Sequence, residues 1–175
     1  MVETYQAPMR QDKEKKKRTL TQTVSSNSAG ARSVVGSILD QKNNPNTITI
    51  KPSDTLGHAV EILRDHGIGA LVVTNDHGDL CGILSERDIV RKLADTPGRT
   101  LPQLVSDIMV KNVITCGRED DLVSVLVKMR DGRFRHMPVV VDGKPVGMVS
   151  IGDVIHFRLT EVEHEALQLK QLIVG

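Results

Sequence analysis

The chain has 175 residues, enough for one domain with its own hydrophobic core. Its formal net charge of +1 provides no global field that would draw it to nucleic acid or to a membrane surface. Aromatic residues make up 2% of the sequence and tryptophan is absent, which argues against the base-stacking platforms of a single-strand nucleic-acid binder.

Residues 1–32 are predicted to form a flexible polar tail. They lack apolar periodicity, carry the basic run 13–18 and end in a segment rich in Ser, Asn and Gly. Such a composition buries too little apolar surface to offset the entropy of ordering. The basic run leaves open a contact with phosphate or with an acidic surface, but a solvated or partner-ordered tail fits better.

The first half of the remaining chain predicts alternating helices and strands. The expected elements are a short helix at 34–39, a strand at 47–50, a helix over 56–63, a hairpin of strands at 70–73 and 80–84, and a helix that begins at Ser85. Asp54 stands just before the second of these helices, where an N-cap residue is expected.

The second half repeats the first. When Leu56 is aligned with Leu122, residues 47–90 match residues 113–155 with one deletion in the hairpin. The counterpart elements are expected at 105–109, 113–116, 122–129, 137–141 and 146–149, with Asp120 as N-cap and a last helix from Ser150. The fold class is therefore α+β: two β-α-β-β-α repeats related by a pseudo-two-fold axis, with two related clefts between them.

The predicted boundaries follow from this repeat. They are a tail at 1–32, a first repeat at 33–95, a second repeat at 96–160 and an amphipathic C-terminal helix at 161–175. Residues 159, 162, 166, 169 and 173 have heptad-like spacing, so this short helix needs a surface to pack on. Its own domain and a second chain both remain possible partners.

Targeting and redox signals favour a cytoplasmic protein. The sequence has no apolar stretch of membrane-spanning length and no apolar signal core, and Glu3, Asp12 and Glu14 argue against an organelle transit peptide. Cys81 and Cys116 each lie in a strand-like run, which favours buried free thiols over a disulfide. We expect neither a membrane partner nor a nucleic-acid partner.

A Ser-x-x-Asp pair opens the last helix of each repeat. Ser85 and Asp88 form the first pair, and Ser150 and Asp153 form the second. A helix N-terminus offers unpaired N–H donors, Ser offers a hydroxyl, and Asp can accept from the two vicinal hydroxyls of a ribose. The same residues also suit a capping box that serves only the helix itself. The residues alone leave both interpretations open.

Basic residues differ between the repeats. Arg133, Arg135 and His136 stand before the second hairpin, where the first repeat is uncharged, while Arg87 and Arg91 stand opposite Gly152 and His156. They either surround phosphates or form a solvated edge, and His136 also suits a buried structural role. We expect two inequivalent clefts, unless both basic sets converge on one shared region.

The sequence motifs of most enzyme classes are absent. The segment 67–69 lacks the third glycine of a dinucleotide fingerprint and precedes a strand instead of following one. There is no P-loop, no zinc-ligand spacing and no nucleophile grouped with a base. We therefore expect no catalytic residue and no metal site.

These features resemble the cystathionine-β-synthase (CBS) domain, and two in tandem resemble a CBS pair, or Bateman module. The resemblance covers Ser33 to about Leu159. Within the family, the chain is most similar to small stand-alone CBS-pair proteins. It rests on the segments 68–73, 85–90, 133–139 and 150–154 in combination.

The resemblance implies a non-catalytic adenine-nucleotide sensor. The base would lie against 47–49 or 113–115, the two Asp would hold ribose hydroxyls, the two Ser would bond ribose or phosphate, and the basic residues would meet phosphates. The implied binding residues are Thr49, Gly69, Ala70, Ser85, Arg87, Asp88, Arg91, Ile114, Thr115, Arg133, Arg135, His136, Met137, Pro138, Ser150 and Asp153.

The resemblance leaves the ligand open among AMP, ADP, ATP, NAD(H) and S-adenosylmethionine, with no further cofactor required. It implies a homodimer and an unidentified regulated protein. The alternative is an interaction scaffold with vestigial clefts.

Overall fold

The computed structural model describes residues 33–42 and 47–174, so the predicted tail at 1–32 lies outside the described residues. The elements are α1 Val35–Gln41, β1 Thr49–Ile50, α2 Leu56–His66, β2 Ala70–Thr74, β3 Leu80–Ser85, α3 Glu86–Asp95, a 3₁₀ turn Val105–Asp107, α4 Leu122–Gly132, β4 His136–Val141, β5 Lys144–Ser150 and α5 Ile151–Val174. Their order follows the predicted repeat, with one missing strand.

The missing strand is the counterpart of β1. In the first repeat, β1 pairs in parallel with β2, and β2 pairs antiparallel with β3. In the second repeat β4 pairs only with β5, and the segment predicted as a strand at 113–116 contributes a single bridge, Cys116 with Val139. The carbonyl of Pro138 accepts from Cys116 N, so the nitrogen of Pro138 faces the same segment without a hydrogen to donate. The ladder therefore stops after one bridge.

Each repeat lends its leading segment to the core of the other. Val35 and Ile38 of α1 are buried among residues of α4, β4 and β5, while Val105 of the 3₁₀ turn is buried among residues of α2, β2 and β3. The backbone joins the halves too, since Val35 N donates to Asp120 O and Val105 N donates to Asp54 O. The two repeats therefore form one folded unit.

Two glycines permit this exchange. A side chain at Gly82 would come within 2.7 Å of Met109, and a side chain at Gly147 would come within 2.7 Å of Leu39. Leu39 and Met109 therefore occupy equivalent places in the two halves, each lying against a strand of the opposite repeat. The residues that follow Leu39 and Met109 in sequence are therefore equivalent as well.

The predicted N-caps Asp54 and Asp120 are wrong by one residue. Thr55 accepts a hydrogen bond from His58 N at the start of α2, and Asp121 accepts one from Ser124 N at the start of α4. Asp54 instead accepts from Lys51 N in the preceding turn. Asp120 forms an ion pair with Lys128 on the helix surface. Spacing alone does not distinguish an N-cap from the residue before it.

The last helix is one continuous element. Residues 161–174 belong to α5, a 24-residue helix that begins at Ile151, with no break at 160. The apolar side chains of Leu159, Val162 and Leu169 are more than half exposed, at 58%, 55% and 59%. Within the described part of the chain, no helix is both long enough and apolar enough to cross a membrane.

The two cysteines are free thiols. Cys116 lies in the core of the second half, and Cys81 is half-buried against the first. Burial, with a smaller contribution from Asp120, raises the pKa of the Cys116 thiol to about 11. This thiol therefore stays protonated at neutral pH, as a core residue should.

Candidate functional site

Two clefts lie between the repeats, and each is lined by residues from both halves. The first cleft, of about 350 Å³, combines Ser85 and Asp88 of the first repeat with Val113, Ile114 and the loop 132–136 of the second. The second cleft, of about 840 Å³, combines Ser150 and Asp153 of the second repeat with Thr47, Ile48 and the loop 67–70 of the first. Both volumes are within the range of small-molecule sites, roughly 300–1,000 Å³.

The Ser-x-x-Asp pairs form capping boxes. Asp88 Oδ2 accepts from Ser85 N at 3.0 Å and from Ser85 Oγ. Asp153 Oδ2 accepts from Ser150 N at 2.6 Å and from Ser150 Oγ at 2.7 Å. All of these bonds use Oδ2; among the described residues, Oδ1 of neither carboxylate accepts a hydrogen bond, and both aspartates line their clefts. A capping role and a ligand-binding role are therefore compatible.

The second cleft has a carboxylate that is already paired. Lys42 Nζ lies 2.8 Å from Asp153 Oδ2. Burial acts to raise the pKa of Asp153, but the hydrogen bonds from Lys42 and Ser150 outweigh it and hold that pKa below its usual value. Arg118, another residue of this cleft, is paired with Asp40. The second cleft therefore has two cations and two carboxylates, arranged as two ion pairs.

The first cleft collects all the arginines predicted to bind phosphate. Its charged lining residues other than histidine are four arginines and two carboxylates: Arg87, Arg91, Arg133, Arg135, Glu86 and Asp88. The charged loop of the second repeat faces the charged helix α3 of the first, and Arg87 donates to the carbonyl of Arg133 at 3.2 Å. The four arginines thus converge on the first cleft alone and not on a region that the two clefts share, so the two clefts differ in charge.

Arg133 has a backbone conformation that suits glycine. It caps α4 with φ 54° and ψ 33°, in the left-handed region, where Gly67 caps α2 with φ 62°. A non-glycine residue in this region costs roughly 1–2 kcal/mol. The second repeat bears this cost and gains a guanidinium group at the edge of the first cleft.

His136 lines both clefts. A side chain at Gly69 would come within 3.2 Å of its imidazole and 3.5 Å of Glu86 Oε1, so these three residues meet at the centre of the molecule. Burial lowers the pKa of His136, although Glu86 and Asp153 partly oppose this shift. At neutral pH the imidazole is uncharged and serves as a common wall.

Most of the predicted site residues line a cleft, and four do not. Gly69, Ala70, Ser85, Arg87, Asp88, Arg91, Ile114, Arg133, Arg135, His136, Ser150 and Asp153 all line one or both clefts. Thr49 and Thr115 lie outside both linings, each one residue after an isoleucine that lines a cleft, Ile48 or Ile114. Met137 and Pro138 are buried in β4. Alternation along β4 places Met137 on the face opposite His136, which lines both clefts.

Sequence reasoning missed several lining residues. Lys42, Asp40 and Arg118 line the second cleft, and Glu86 and Asn112 line the first. Glu86 lies inside a recognised motif, so the motif itself was the available signal. Lys42 carries no sequence signal, because it follows α1, which packs on the opposite repeat. Arg118 carries none either, because its pairing with Asp40 of α1 is a tertiary contact.

Comparison with known families supports the repeat assignment. A family model described as the CBS domain matches residues 35–95 and 105–160. The mitochondrial CBS-domain protein CBSX3 of Arabidopsis thaliana is 36% identical over 126 residues, covering 70% of this chain and 61% of that protein. The chain thus spans less than two thirds of the length of this relative.

Solved structures share the arrangement. The CBS-domain protein ATU1752 from Agrobacterium tumefaciens is 38% identical, with a TM-score of 0.70 over 74% of this chain and 96% of that one. The CBS domain pair of protein MJ0100, in complex with 5′-methylthioadenosine and S-adenosyl-L-methionine, is 28% identical, with a TM-score of 0.66 over 75% of this chain and 99% of that one. The predicted α+β fold of two paired repeats is confirmed.

Proposed function

This chain belongs to the CBS-domain family, and we propose that it is a non-catalytic regulatory module that binds adenosine-containing nucleotides in its two clefts. Binding signals the energy or redox state of the cell to a partner protein. The ligands are AMP, ADP, ATP, NAD(H) or S-adenosylmethionine, and no metal or further cofactor takes part.

One observation carries this proposal: the composition of the first cleft. It places a carboxylate beside a helix N-terminus, a hydrophobic wall from Val113 and Ile114, and four arginines around one cavity. These are the groups that a ribose diol, an adenine ring and phosphates require. The adenosine ligands of the similar MJ0100 pair support the same ligand class.

The two clefts have different proposed preferences. The arginines of the first favour a ligand with several phosphate charges, such as ATP. The paired charges of the second favour a monophosphate or a less charged adenosyl compound. His136 lines both clefts, so a ligand that moves this side chain in one cleft also changes the surface of the other.

Calorimetric titration of the whole chain with AMP, ATP, NADH and S-adenosylmethionine tests the proposal. We expect saturable binding of at least one of them, with two classes of site. If none of these ligands produces heat or a thermal shift at millimolar concentration, the proposal fails and the scaffold alternative gains. That alternative draws support from the capping boxes, in which each Asp already serves its own helix.

We also propose a homodimer. The exposed surface includes Val123 and Val127 on α4 and Leu159 and Val162 on α5, each at least 40% exposed. A second copy would remove these apolar groups from water. Light scattering should give twice the monomer mass, and a monomer at every accessible concentration would contradict this. A dimer that persists after truncation at Phe157 would contradict only a role for the end of α5.

We propose a cytoplasmic location, which the free thiols of Cys81 and Cys116 support. The regulated partner is a separate protein whose chemistry the clefts do not define. Co-purification with and without added nucleotide would identify it, and a partner retained equally in both conditions would contradict a nucleotide signal.

A further inference from the structure

Lys42 enters the second cleft from the end of α1. Its ammonium lies 2.8 Å from Asp153 Oδ2 and 2.9 Å from the carbonyl oxygen of Met148. The lysine and aspartate side chains are only 35% and 27% exposed, so the contact is partly shielded from solvent. Asp153 Oδ2 accepts from Ser150 as well. One oxygen of the proposed ribose acceptor therefore receives hydrogen bonds from two residues before any ligand arrives.

No lysine is among the described residues that line the first cleft. Leu39 and Met109 occupy equivalent places, against Gly147 and Gly82, so the residue equivalent to Lys42, three positions after Leu39, is Asn112. Asn112 lines the first cleft but is uncharged. Among the described residues, the carboxylate of Asp88 has hydrogen bonds from Ser85 and no ion pair. The two clefts thus present the same capping box with and without an attached cation.

This difference changes what a ligand must supply. The two hydroxyls of a ribose diol need both oxygens of the Asp153 carboxylate, so one of them would compete with the ammonium for Oδ2, and a neutral hydroxyl is the weaker donor. A ligand that also carries an anion gives the ammonium a second partner. Lys42 can turn toward it because its stem is flexible, and within the described residues only two of its three donors have acceptors.

We propose that Lys42 sets the ligand selectivity of the second cleft by making ribose binding at Asp153 depend on an anionic group of the ligand. The inference rests on the proposed function and adds a residue that determines specificity within it. In the second cleft, AMP binds more tightly than adenosine, and Lys42 is the source of that preference.

Site-resolved NMR titration of the whole chain tests this. The backbone amides of Ser85 and Ser150 donate to the two carboxylates, so they report separately on the first and second clefts. Adenosine and AMP are titrated into wild type and Lys42→Asn. The substitution should reduce the AMP-over-adenosine preference at Ser150 about tenfold, as for one lost charge-assisted contact. The preference at Ser85 should not change.

Two further variants separate charge from packing. Lys42→Arg keeps the cation and should retain most of the preference. Lys51→Asn removes a similarly exposed lysine that pairs with Asp76 outside both clefts, and it should have no effect at Ser150.

Three results would overturn the inference alone. They are an unchanged preference in Lys42→Asn, an equal loss of both ligands at Ser150, and a wild type that binds adenosine as tightly as AMP there. A wild type in which neither amide responds to any adenosyl ligand would overturn the proposed function, and this inference with it.

Discussion

The two clefts have the same backbone plan but differ in charge: the first has an excess of cations, and the charges of the second are balanced. Each cleft combines a capping box from one repeat with a hydrophobic segment and a loop from the other repeat. Four arginines line the first cleft, whereas the second is lined by two ion pairs, Lys42 with Asp153 and Arg118 with Asp40. The difference in charge arises because the loop of each repeat faces a helix of the other repeat. The charged loop of the second repeat faces the charged α3 of the first, and the uncharged loop at 67–70 faces α5. Internal duplication therefore supplies the shared geometry, and substitution of a few residues supplies the difference in charge.

The largest expected effect comes from the two aspartates. Asp88→Ala should weaken adenosine-nucleotide binding in the first cleft only, and Asp153→Ala in the second only. Each ribose hydroxyl loses a charged acceptor worth about 1.5–3 kcal/mol, or roughly ten- to hundredfold in affinity. The site-resolved titration at Ser85 and Ser150 measures both.

Lost helix capping needs its own control, because each aspartate also stabilises a helix start. Asp121 caps α4 through Ser124 N and lies outside both clefts. Asp121→Ala should lower the unfolding free energy by about 1 kcal/mol and leave binding unchanged. If Asp121→Ala weakens binding as much as Asp88→Ala does, the aspartates act through stability and not through the ribose.

The next effect concerns phosphate charge. Arg135→Gln should weaken ATP binding at the first cleft about tenfold, since one guanidinium contact is lost. Raising the salt from about 0.1 M to about 1 M shortens the Debye length from about 10 Å to about 3 Å, so the first cleft should lose more affinity than the second. Isothermal titration at both salt concentrations measures this.

Arg64→Gln is the matched control for Arg135. Arg64 is an exposed arginine of α2 that pairs with Asp65, and it lines neither cleft. Its removal should leave ATP affinity unchanged. Equal salt sensitivity at the two clefts would show that the difference in charge has no functional consequence.

The repeat and the fold could be predicted from sequence because both rest on periodicity. Buried positions such as Leu56 and Leu122 recur at helical spacing, and the two Ser-x-x-Asp pairs mark equivalent helix starts. The sequence pattern gave wrong predictions where a single backbone group determines how a strand or a helix ends. The missing N–H of Pro138 ends a ladder, and the Asp54 and Asp120 caps moved by one residue.

The composition of each cleft could be predicted only in part. The arginines were visible as basic residues, but their convergence depends on which loop faces which helix, and that is a tertiary property. Lys42 was invisible, because its position in the second cleft follows from the packing of α1 against the opposite repeat. The alignment shows which residues of the two repeats are equivalent, but it does not show which residues of different repeats meet in one cleft.

A smaller effect combines stability and binding at one residue. Arg133→Gly should stabilise the fold by roughly 1 kcal/mol, because it removes the left-handed conformation of a non-glycine residue. It should also weaken ATP binding at the first cleft severalfold, since the guanidinium group is lost. Urea unfolding and titration measure the two changes.

Gly67 provides the opposite control for Arg133. It has the same left-handed conformation at the end of α2, and nothing lies within 4 Å of where its side chain would be. Gly67→Ala should therefore destabilise the fold by roughly 1 kcal/mol without any clash. An Arg133→Gly protein that is less stable than wild type would mean that contacts of the arginine outweigh its backbone cost.

The smallest expected effect is a pH dependence at His136, the titratable residue that lines both clefts. Burial lowers its pKa in the folded protein, with Arg135 and Lys42 acting in the same direction and Glu86 and Asp153 against it. As the pH falls, the unfolded chain takes up this proton first, near its ordinary pKa of about 6.5. The folded state is therefore destabilised as the pH falls from that value toward the lower folded pKa.

His136→Gln isolates this contribution, because the other titrating groups act in both proteins. The unfolding free energy of wild type should fall relative to the variant between about pH 7.5 and about pH 5. A phosphate bound in the first cleft adds negative charge beside the imidazole and should reduce that loss, whereas uncharged adenosine in the second cleft should not. A wild-type stability that rises relative to the variant as the pH falls would mean that His136 is stabilised in its charged form. The side chain between the two clefts would then be a cation and not an uncharged imidazole.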